Sequence, residues 1–404
     1  MMAEGALSHV RVLDFTTQVA GPYCTKLLAD YGADVIKVER PETGDTARGM
    51  GPFPEDIPHL EKSGLFLHLN TNKRSVTLDL KSKAGQKIAR ELASNADLVV
   101  ESFRPGVMDR FGLGFGSLQA SNPRLVMTSI SNFGRTGPYR DYKSSDIMVY
   151  SMGGEMHSTG LEDREPVKLG ANVVLYQAGS VAAVGSAGAL FLSQDDGPGQ
   201  HVDVSIMETQ TGSVDRRMSA LVAYQYTGEL SIRVPFGASG YPIGIYPCAD
   251  GYLEVTGGLN YLPRAVRTLG DPPELLEPRW YTPESQTDPE LKDEFEAHFL
   301  SWTLERTKAE AWRAAQESGL LSAPLNNMED LANDQHFIGR GAFAQFDHPV
   351  AGSLKYLGRP FVMSESPWEV RRPTPLLGQH NGEVLGELGY AAEDLVRLRA
   401  QGII

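Results

Sequence analysis

Short apolar segments alternate with amphipathic ones along the first half of the chain. Strands are predicted at six apolar segments, residues 10–15, 34–39, 75–80, 97–101, 125–130 and 200–206. Helices are predicted between them, among others at 20–30, 84–93 and 179–192. Parallel strands need a crossover connection, which is usually a helix. The repeated strand–helix–strand unit therefore predicts an α/β fold with a doubly wound, Rossmann-like sheet that carries helices on both faces.

The pattern changes after Asp215. Residues 242–256 predict a hairpin that turns at Ala249-Asp250-Gly251, and residues 291–318 predict one or two helices rich in Glu, Lys and Ala. A chain of 404 residues is too long for one ordinary core. We therefore predict a large α/β domain at 1–220, a smaller α+β domain at 221–323, and a C-terminal segment at 324–404 that returns to the large domain.

Composition and charge exclude several classes of protein. Hydrophobic residues make up 41% and charged residues 22% of the chain, as in ordinary globular proteins. The formal net charge of −14 predicts no nucleic-acid partner, because a phosphate backbone requires clustered Lys and Arg. An acidic protein can still bind a polyanion where a few basic side chains converge.

The cysteines and the N-terminal residues bear on the compartment. Cys24 and Cys248 are the two cysteines, which predicts a reducing compartment, no disulfide framework and no zinc site. The first nine residues lack the apolar centre of a signal peptide, and no apolar segment has the length expected of a membrane span. We therefore predict a cytoplasmic protein with no metal and no membrane association.

The turn after the first strand separates two functional interpretations. A dinucleotide site would place a G-x-G-x-x-G fingerprint there, so that the backbone can approach a pyrophosphate. This chain has Ala20-Gly21-Pro22 instead, with Pro22 suited to the first turn of a helix. Glu39, where a ribose-binding acid would lie, fits a solvated strand end. A nicotinamide-dependent oxidoreductase is therefore the less favoured alternative.

An ordered set of motifs covers essentially the whole chain. The set comprises Ala20-Gly21-Pro22, the segment from Gly32 to Glu39, Gly44-Asp45, Asn72-Lys73-Arg74-Ser75, Leu78-Asp79-Leu80-Lys81, Gly137-Pro138-Tyr139, Gly199-Gln200, Val202-Asp203-Val204-Ser205 and Leu377-Gly378-Gln379-His380. In this order and spacing the chain resembles the family III CoA-transferases of the formyl-CoA and carnitine type. The family also includes an acyl-CoA racemase branch.

The resemblance implies an interlocked dimer and a coenzyme A site on the large domain. Coenzyme A needs an apolar slot for adenine, cations for its phosphates and a tunnel for pantetheine. By position, the expected contacts are Val19, Ala20, Arg40, Leu78, Leu80, Lys81, Ser102, Phe103, Arg110 and Lys143. Arg104 is an additional cation nearby. Two positions depart from the family, which often has Gln at Val19 and Asn at Ser102; here Gln18 carries the amide one residue earlier.

A third departure concerns the reaction itself. The family uses an aspartate nucleophile that attacks the donor thioester and carries first the acyl group and then CoA. Between the anchors Gly170 and Gly179, Leu175 falls at this position, and no Asp or Glu lies between Glu165 and Asp195. The racemase branch pairs the aspartate with a histidine before Asp146, where this chain has Ser145.

Three hypotheses follow from Leu175. In the first, the chain is the aspartate-free subunit of a heteromer of the benzylsuccinate type, which moves CoA between an acyl-CoA such as succinyl-CoA and a carboxylic acid; a paralogous partner supplies the aspartate. In the second, another carboxylate acts in a homodimer, with Glu155 as the candidate. In the third, the chain binds CoA thioesters without transfer. Residues 237–240 match a glycine loop that covers the active site in the family.

Overall fold

The computed structural model describes residues 5–195, 197–212, 215–230, 233 and 240–404. Six strands form one parallel sheet in the order β3-β2-β1-β4-β5-β6: β1 (Arg11–Phe15), β2 (Asp34–Glu39), β3 (Lys73–Thr77), β4 (Leu98–Glu101), β5 (Val126–Ser131) and β6 (His201–Ser205). The chain winds outward from β1 on one side and from β4 on the other. The predicted doubly wound α/β fold is confirmed.

The third strand is the one predicted strand that moves appreciably. The apolar pattern predicts it at 75–80, whereas β3 spans Lys73–Thr77. Its pairing explains the shift, because Lys73 pairs with Val35 and Thr77 pairs with Glu39, the last residue of β2. The last hydrogen bond between the two strands runs from Leu78 N to the carbonyl oxygen of Glu39 at 2.9 Å, and the Leu78 side chain is buried in the core below the sheet.

Nine helices connect or follow these strands in the described sequence up to residue 230: α1 (Ala20–Asp30), α2 (Gly64–Leu69), α3 (Lys83–Ser94), α4 (Val107–Arg110), α5 (Phe115–Gln119), α6 (Asp146–Met152), α7 (Val173–Gln194), α8 (Ile206–Gly212) and α9 (Asp215–Thr227). Helix α7 begins six residues before the predicted start at 179. It packs closely on α1, because a Cβ atom on Gly179 would lie 2.5 Å from the carbonyl oxygen of Ala20.

Two apolar clusters cover the two faces of the sheet. One joins α1 and α7 to the sheet through residues such as Leu28 and Ala182, and the other joins α3 through Ile88 and Leu92. Helix α7 has the length and hydropathy that would allow a membrane span, but 44% of its most apolar window is buried. Its buried side belongs to this core, which is the behaviour of a central helix in a globular domain.

By spatial proximity the described residues form two compact units. The larger comprises the described parts of Met1–Thr159, Pro166–Ser231 and Gly341–Ile404; the smaller comprises those of Gly160–Glu165 and Ile232–Arg340. After residue 341 the larger unit contains β10 (Phe343–His348), β11 (Gly352–Leu357), α15 (Asn381–Glu387) and α16 (Ala392–Ala400). The domain boundaries at residues 220 and 323 stay a prediction.

The smaller unit contains an antiparallel sheet and helices around an aromatic core. Its elements are β7 (Ile243–Cys248), β8 (Gly251–Thr256), α10 (Leu262–Thr268), α11 (Pro289–Leu304), α12 (Lys308–Ser318), β9 (Leu321–Pro324), α13 (Met328–Asn333) and α14 (Gln335–Gly339). The predicted hairpin is present as β7 and β8. Trp280, Phe295 and Phe299 are fully buried in the core.

Candidate active site

A cavity of about 640 Å³ lies over the carboxyl ends of the sheet strands. Its walls come from the segments after β1, β4, β5 and β6, around the point where β1 and β4 lie side by side and the chain leaves them in opposite directions. Ligands of doubly wound sheets bind at this switch point. The volume falls within the roughly 300–1,000 Å³ that is typical of small-molecule sites.

The β1–α1 turn, residues 16–19, forms one wall of the cavity. Three consecutive backbone amides of this turn each donate to a side chain: Thr16 N to Asp14 Oδ1 at 2.8 Å, Thr17 N to Ser102 Oγ at 3.0 Å, and Gln18 N to Asp45 Oδ1 at 2.9 Å. These three donors are therefore occupied within the protein. A pyrophosphate held by such amides, as in dinucleotide-binding turns, would have to displace these side chains.

Four cations line the cavity on another side, namely Arg104, Arg110, Arg140 and Lys143. Nη1 of Arg110 and Nη2 of Arg140 lie 3.9 and 3.7 Å from the place that a Cβ atom on Gly106 would occupy, so the two guanidinium groups lie close together. Arg140 has one exposed partner, Asp141, at 3.5 Å. Two neighbouring guanidinium groups with so little compensation form a favourable setting for a polyanion.

Leu175 lines the same cavity from the first turn of α7. Its amide donates to the carbonyl of Asn172 at 2.9 Å, and its side chain is partly buried against the α1–α7 core. Ile130 and Ile206 are further apolar residues of the lining. A carboxylate in the first turn of a helix is stabilised by the helix dipole. This chain presents an isobutyl group at a place that is electrostatically suited to a carboxylate.

Comparison with known proteins identifies the family. The family model described as CoA-transferase family III matches residues 7–381 of the chain. The chain belongs to CoA-transferase family III. The resemblance predicted from the ordered motifs is therefore confirmed, and acyl-CoA is the substrate class of enzymes in this family.

Individual relatives of this family III member match over nearly their full length. The succinyl-CoA–D-citramalate CoA-transferase of Chloroflexus aurantiacus is 35% identical, over 98% of each chain. Subunit BbsE of the succinyl-CoA:(R)-benzylsuccinate CoA-transferase of Thauera aromatica is 34% identical, also over 98% of each chain. A CaiB/BaiF family protein from Brucella suis has a solved structure with a TM-score of 0.81 and 27% identity, covering 95% of this chain and all of that one.

The family III site residues predicted from the sequence fall into two groups. Six of the ten line the cavity, namely Val19, Ala20, Ser102, Phe103, Arg110 and Lys143. The other four lie elsewhere. Arg40 lines a separate, more open cavity of about 520 Å³ with Arg399, over the ends of β2 and β3. Leu78 is buried and Leu80 half-buried in the core under the sheet, and Lys81 is exposed.

The carboxylates near this site differ from the sequence-based expectation. Glu155, the candidate replacement nucleophile, is 4% exposed and is not among the residues that line the cavity. Its Oε1 accepts a hydrogen bond from Thr159 Oγ1 at 3.4 Å. Among the described lining residues the carboxylates are Asp141 and Asp146, and Asp146 pairs with Lys168 at 2.9 Å. Asp146 is thus the half-buried carboxylate that the cavity exposes.

Sequence reasoning missed several members of the lining, among them Arg140, Asn132, Ser131 and Asp146. Arg140 directly follows the Gly137-Pro138-Tyr139 motif, which is the signal in the sequence that could have indicated it. Gly237, Ala238 and Ser239 of the predicted glycine loop lie outside the described residues. Among the residues that are described, no three His, Cys, Asp or Glu side chains form a group that could hold a metal ion.

Proposed function

We propose that this chain is the nucleophile-free subunit of a heteromeric CoA-transferase. The enzyme would move CoA between an acyl-CoA, such as succinyl-CoA, and a carboxylic acid. A paralogous partner would carry the catalytic aspartate. The observation that carries the proposal is Leu175, an aliphatic side chain in the first turn of α7 that faces the candidate CoA cavity.

Coenzyme A is the ligand that best fits the chemistry of the cavity. Arg104, Arg110 and Lys143 are exposed at its edge, and each lacks an ion-pair partner in the part of the chain that the structure describes. Together with Arg140 they match the phosphates of CoA in charge. Val19, Ala20 and Phe103 provide apolar surface for the pantetheine arm, and Ser102 supports the turn that carries Val19.

The remaining predicted contacts form the outer part of the proposed site. Arg40 and Arg399 line the neighbouring cavity over β2 and β3, where an adenosine 3′-phosphate would meet two further cations. Leu78 and Leu80 support that region from the core, and Lys81 is exposed beside it. Because CoA is an elongated polyanion, we assign both cavities to one ligand.

With Leu175 at the position of the family aspartate, the first chemical step of the family reaction cannot take place at this position. In the family reaction a carboxylate attacks the thioester carbonyl and expels CoA thiolate, and an aliphatic side chain has no lone pair for this attack. An isobutyl group can still pack against an acyl chain. The proposed subunit therefore binds a CoA thioester in its own cavity without becoming acylated.

A partner subunit is supported by apolar surface on two helices. On α7, Val184 and Phe191 are 74% and 75% exposed, and Tyr226 at the end of α9 is 86% exposed. Val184 and Phe191 are seven residues apart and so lie on one face of α7, and exposed apolar surface of this kind is typical of protein interfaces. We propose that a second, paralogous chain covers them in an interlocked dimer, as the resemblance implies. BbsE, the relative from Thauera aromatica, is itself named as a subunit.

A cytoplasmic location is part of the same proposal. Cys24 and Cys248 are both buried free thiols, which fits a reducing compartment. The acyl-CoA substrates that the family uses fit that compartment as well.

The proposal is tested by reconstitution. This chain is purified alone, its paralogue alone, and the two after co-expression, and each sample is assayed for CoA transfer from succinyl-CoA to a panel of carboxylic acids. We expect transfer from the co-expressed pair and CoA binding without transfer from this chain alone. Full transferase activity of the purified single chain would overturn the proposal.

The competing function is a homodimeric CoA-transferase in which Asp146 acts as the nucleophile in place of the family aspartate. It is favoured by one observation, the position of Asp146 in the cavity wall. Asp146→Asn and Glu155→Gln in the co-expressed pair separate the possibilities. If the nucleophile comes from the partner, Glu155→Gln leaves the rate within about twofold, and neither variant abolishes the covalent intermediate on the partner chain.

A further inference from the structure

A buried ion pair lies directly beneath the β1–α1 turn. Lys37 Nζ on β2 is 2.8 Å from Asp45 Oδ2, and the two side chains are 0% and 1% exposed. Burial alone would lower the pKa of Lys37, but the carboxylates of Asp14, Asp45 and Glu39 raise it above its ordinary value. The lysine therefore stays charged inside the protein, and the pair persists as an ion pair.

Both members of the pair also hold the backbone of the turn. Lys37 Nζ donates to the carbonyl oxygen of Thr16 at 2.9 Å, and Asp45 Oδ1 accepts from Gln18 N at 2.9 Å. Asp45 Oδ1 accepts a second bond from Ala47 N at 2.8 Å, which fixes the carboxylate. Gln18 has a φ of 67°, in the left-handed region that side chains other than glycine rarely adopt. Such a conformation persists where surrounding contacts impose it.

The turn determines where the cavity wall lies. Val19 follows Gln18 directly and is the N-cap of α1, and both Val19 and Ala20 line the cavity. If Gln18 relaxed to a negative φ, the chain direction entering α1 would change and these residues would move. Since α1 is anchored on α7 at Gly179, the displacement would be taken up at the cavity wall.

We propose that Asp45, backed by Lys37, is a positioning residue of the CoA cavity: it holds Gln18 in its left-handed conformation and so presents Val19 and Ala20 to the ligand. The inference rests on the CoA site proposed above. A purely stabilising role explains the pair less well, because apolar residues of similar volume often replace buried ion pairs without loss of stability.

Two double variants separate the effect of the side-chain acceptor for Gln18 N from the effect of the Lys37–Asp45 charges. Lys37→Met with Asp45→Asn keeps an amide oxygen for Gln18 N, whereas Lys37→Met with Asp45→Ala removes that acceptor. Lys37 and Asp45 are replaced together, and Asp14 keeps Lys73 at 3.1 Å, so neither variant leaves an unpaired buried charge and both are expected to fold. We expect the alanine version to bind CoA about tenfold more weakly than the asparagine version, as measured by calorimetry on the full chain.

A matched control distinguishes positioning from stability. Lys26 and Asp30 form another buried pair on α1, 2.7 Å apart and 4% and 1% exposed, and neither residue lines the cavity. Lys26→Met with Asp30→Ala should lower the urea midpoint of unfolding about as much as Lys37→Met with Asp45→Ala does. Its CoA affinity should remain within about twofold of the wild type.

Each outcome decides one claim. Equal CoA affinities of the two Asp45 double variants, with wild-type binding intact, would overturn the positioning role alone. A wild-type chain that binds no CoA in its assembled dimer would remove the proposed site itself, independently of Asp45. A tenfold loss of CoA affinity, relative to wild type, in the Lys26→Met, Asp30→Ala control would also overturn the inference, because the effect would then follow stability.

Discussion

Two groups of cations in the larger unit have the same chemistry and opposite surroundings. Lys37 and Lys73 lie beneath the cavity, fully buried and paired with carboxylates. Arg104, Arg110 and Lys143 lie at the cavity edge, exposed and without ion-pair partners in the described residues. The first group satisfies charges within the fold. The second is available to the proposed CoA ligand, so in this proposal pairing rather than residue type separates structural from binding cations.

The buried group is a tightly coupled network around Asp14. Lys73 Nζ lies 3.1 Å from Asp14 Oδ2 and also donates to Thr25 Oγ1 and to the oxygen of Asn70. Burial lowers the pKa of Lys73 to about 8, although Asp14 opposes the change. For Asp14, burial would raise the pKa, but Lys37 and Lys73 outweigh it, and the pKa lies well below its usual range. Removing one member would leave an uncompensated charge in the core.

The largest expected effect is on the free energy of unfolding, when the charges around Asp14 are no longer paired. Asp14→Asn should reduce the free energy of unfolding at pH 7 by about 3–5 kcal/mol, because Lys73 then loses its carboxylate. Since the folded pKa of Asp14 is depressed, its contribution is complete above about pH 4 and is lost as the pH falls further. Urea unfolding at pH 7 and pH 3 should therefore show the difference from wild type shrinking at the lower pH.

Asp141→Asn provides the control for this prediction, because the Asp141 side chain is 79% exposed. Its unfolding free energy should stay within about 0.5 kcal/mol of the wild type at both pH values. A difference between Asp14→Asn and wild type that stays constant with pH would contradict the assigned role of Asp14.

The next effect separates binding from stability. Arg110→Ala combined with Lys143→Ala should weaken CoA binding by at least about 100-fold, since each removed charge–phosphate contact contributes about 1.5–3 kcal/mol. The same variant should leave the unfolding free energy within about 0.5 kcal/mol. Lys87→Ala with Arg90→Ala on α3, outside both cavities, is the charge-matched control. If the Lys87 and Arg90 control lost as much CoA affinity as the Arg110 and Lys143 variant, the cavity-edge cations would have no specific role in binding.

The smallest effect is the response to salt. Raising NaCl from 50 to 200 mM should weaken CoA binding roughly three- to tenfold, because exposed charges are screened over about 8–10 Å. Buried pairs are screened much less, so the unfolding midpoint should barely change over the same range. The Arg110 and Lys143 double variant should show a shallower salt dependence of whatever binding remains. A salt-independent affinity in the wild type would argue against phosphate contacts.

Sequence patterns predict the large unit well because parallel strands are continuous apolar segments. Strand β2 was predicted with its observed bounds, and the switch point follows from the order of the strands. The end of β3 could not be predicted, because it depends on where β2 stops offering partners. The start of α7 was missed for a different reason. Asn172, a favoured N-cap residue type, precedes α7, but its side chain makes no capping hydrogen bond and the first turn has no acidic residue.

The site was predictable in its membership and less so in its geometry. The motifs identified six lining residues and the aliphatic substitution at Leu175. They could not reveal that Arg110 and Arg140 converge at Gly106, because that contact joins the end of α4 to the loop after β5. Nor could they show that Asp14, Ser102 and Asp45 occupy three successive amides of the β1–α1 turn. Such contacts depend on loop conformations, which local sequence specifies weakly.

We propose that this chain has a CoA cavity in which Leu175 occupies the position of the family's nucleophile, and that no other carboxylate of the cavity takes over its role. The direct test is intact-mass and peptide mass spectrometry of the purified chain after incubation with succinyl-CoA, with Leu175→Asp as the comparison. We predict no covalent adduct on the wild-type chain and a trapped CoA thioester at position 175 in Leu175→Asp. A CoA-derived or succinyl adduct on a wild-type carboxylate, whether Asp146, Glu155 or another, would contradict the account.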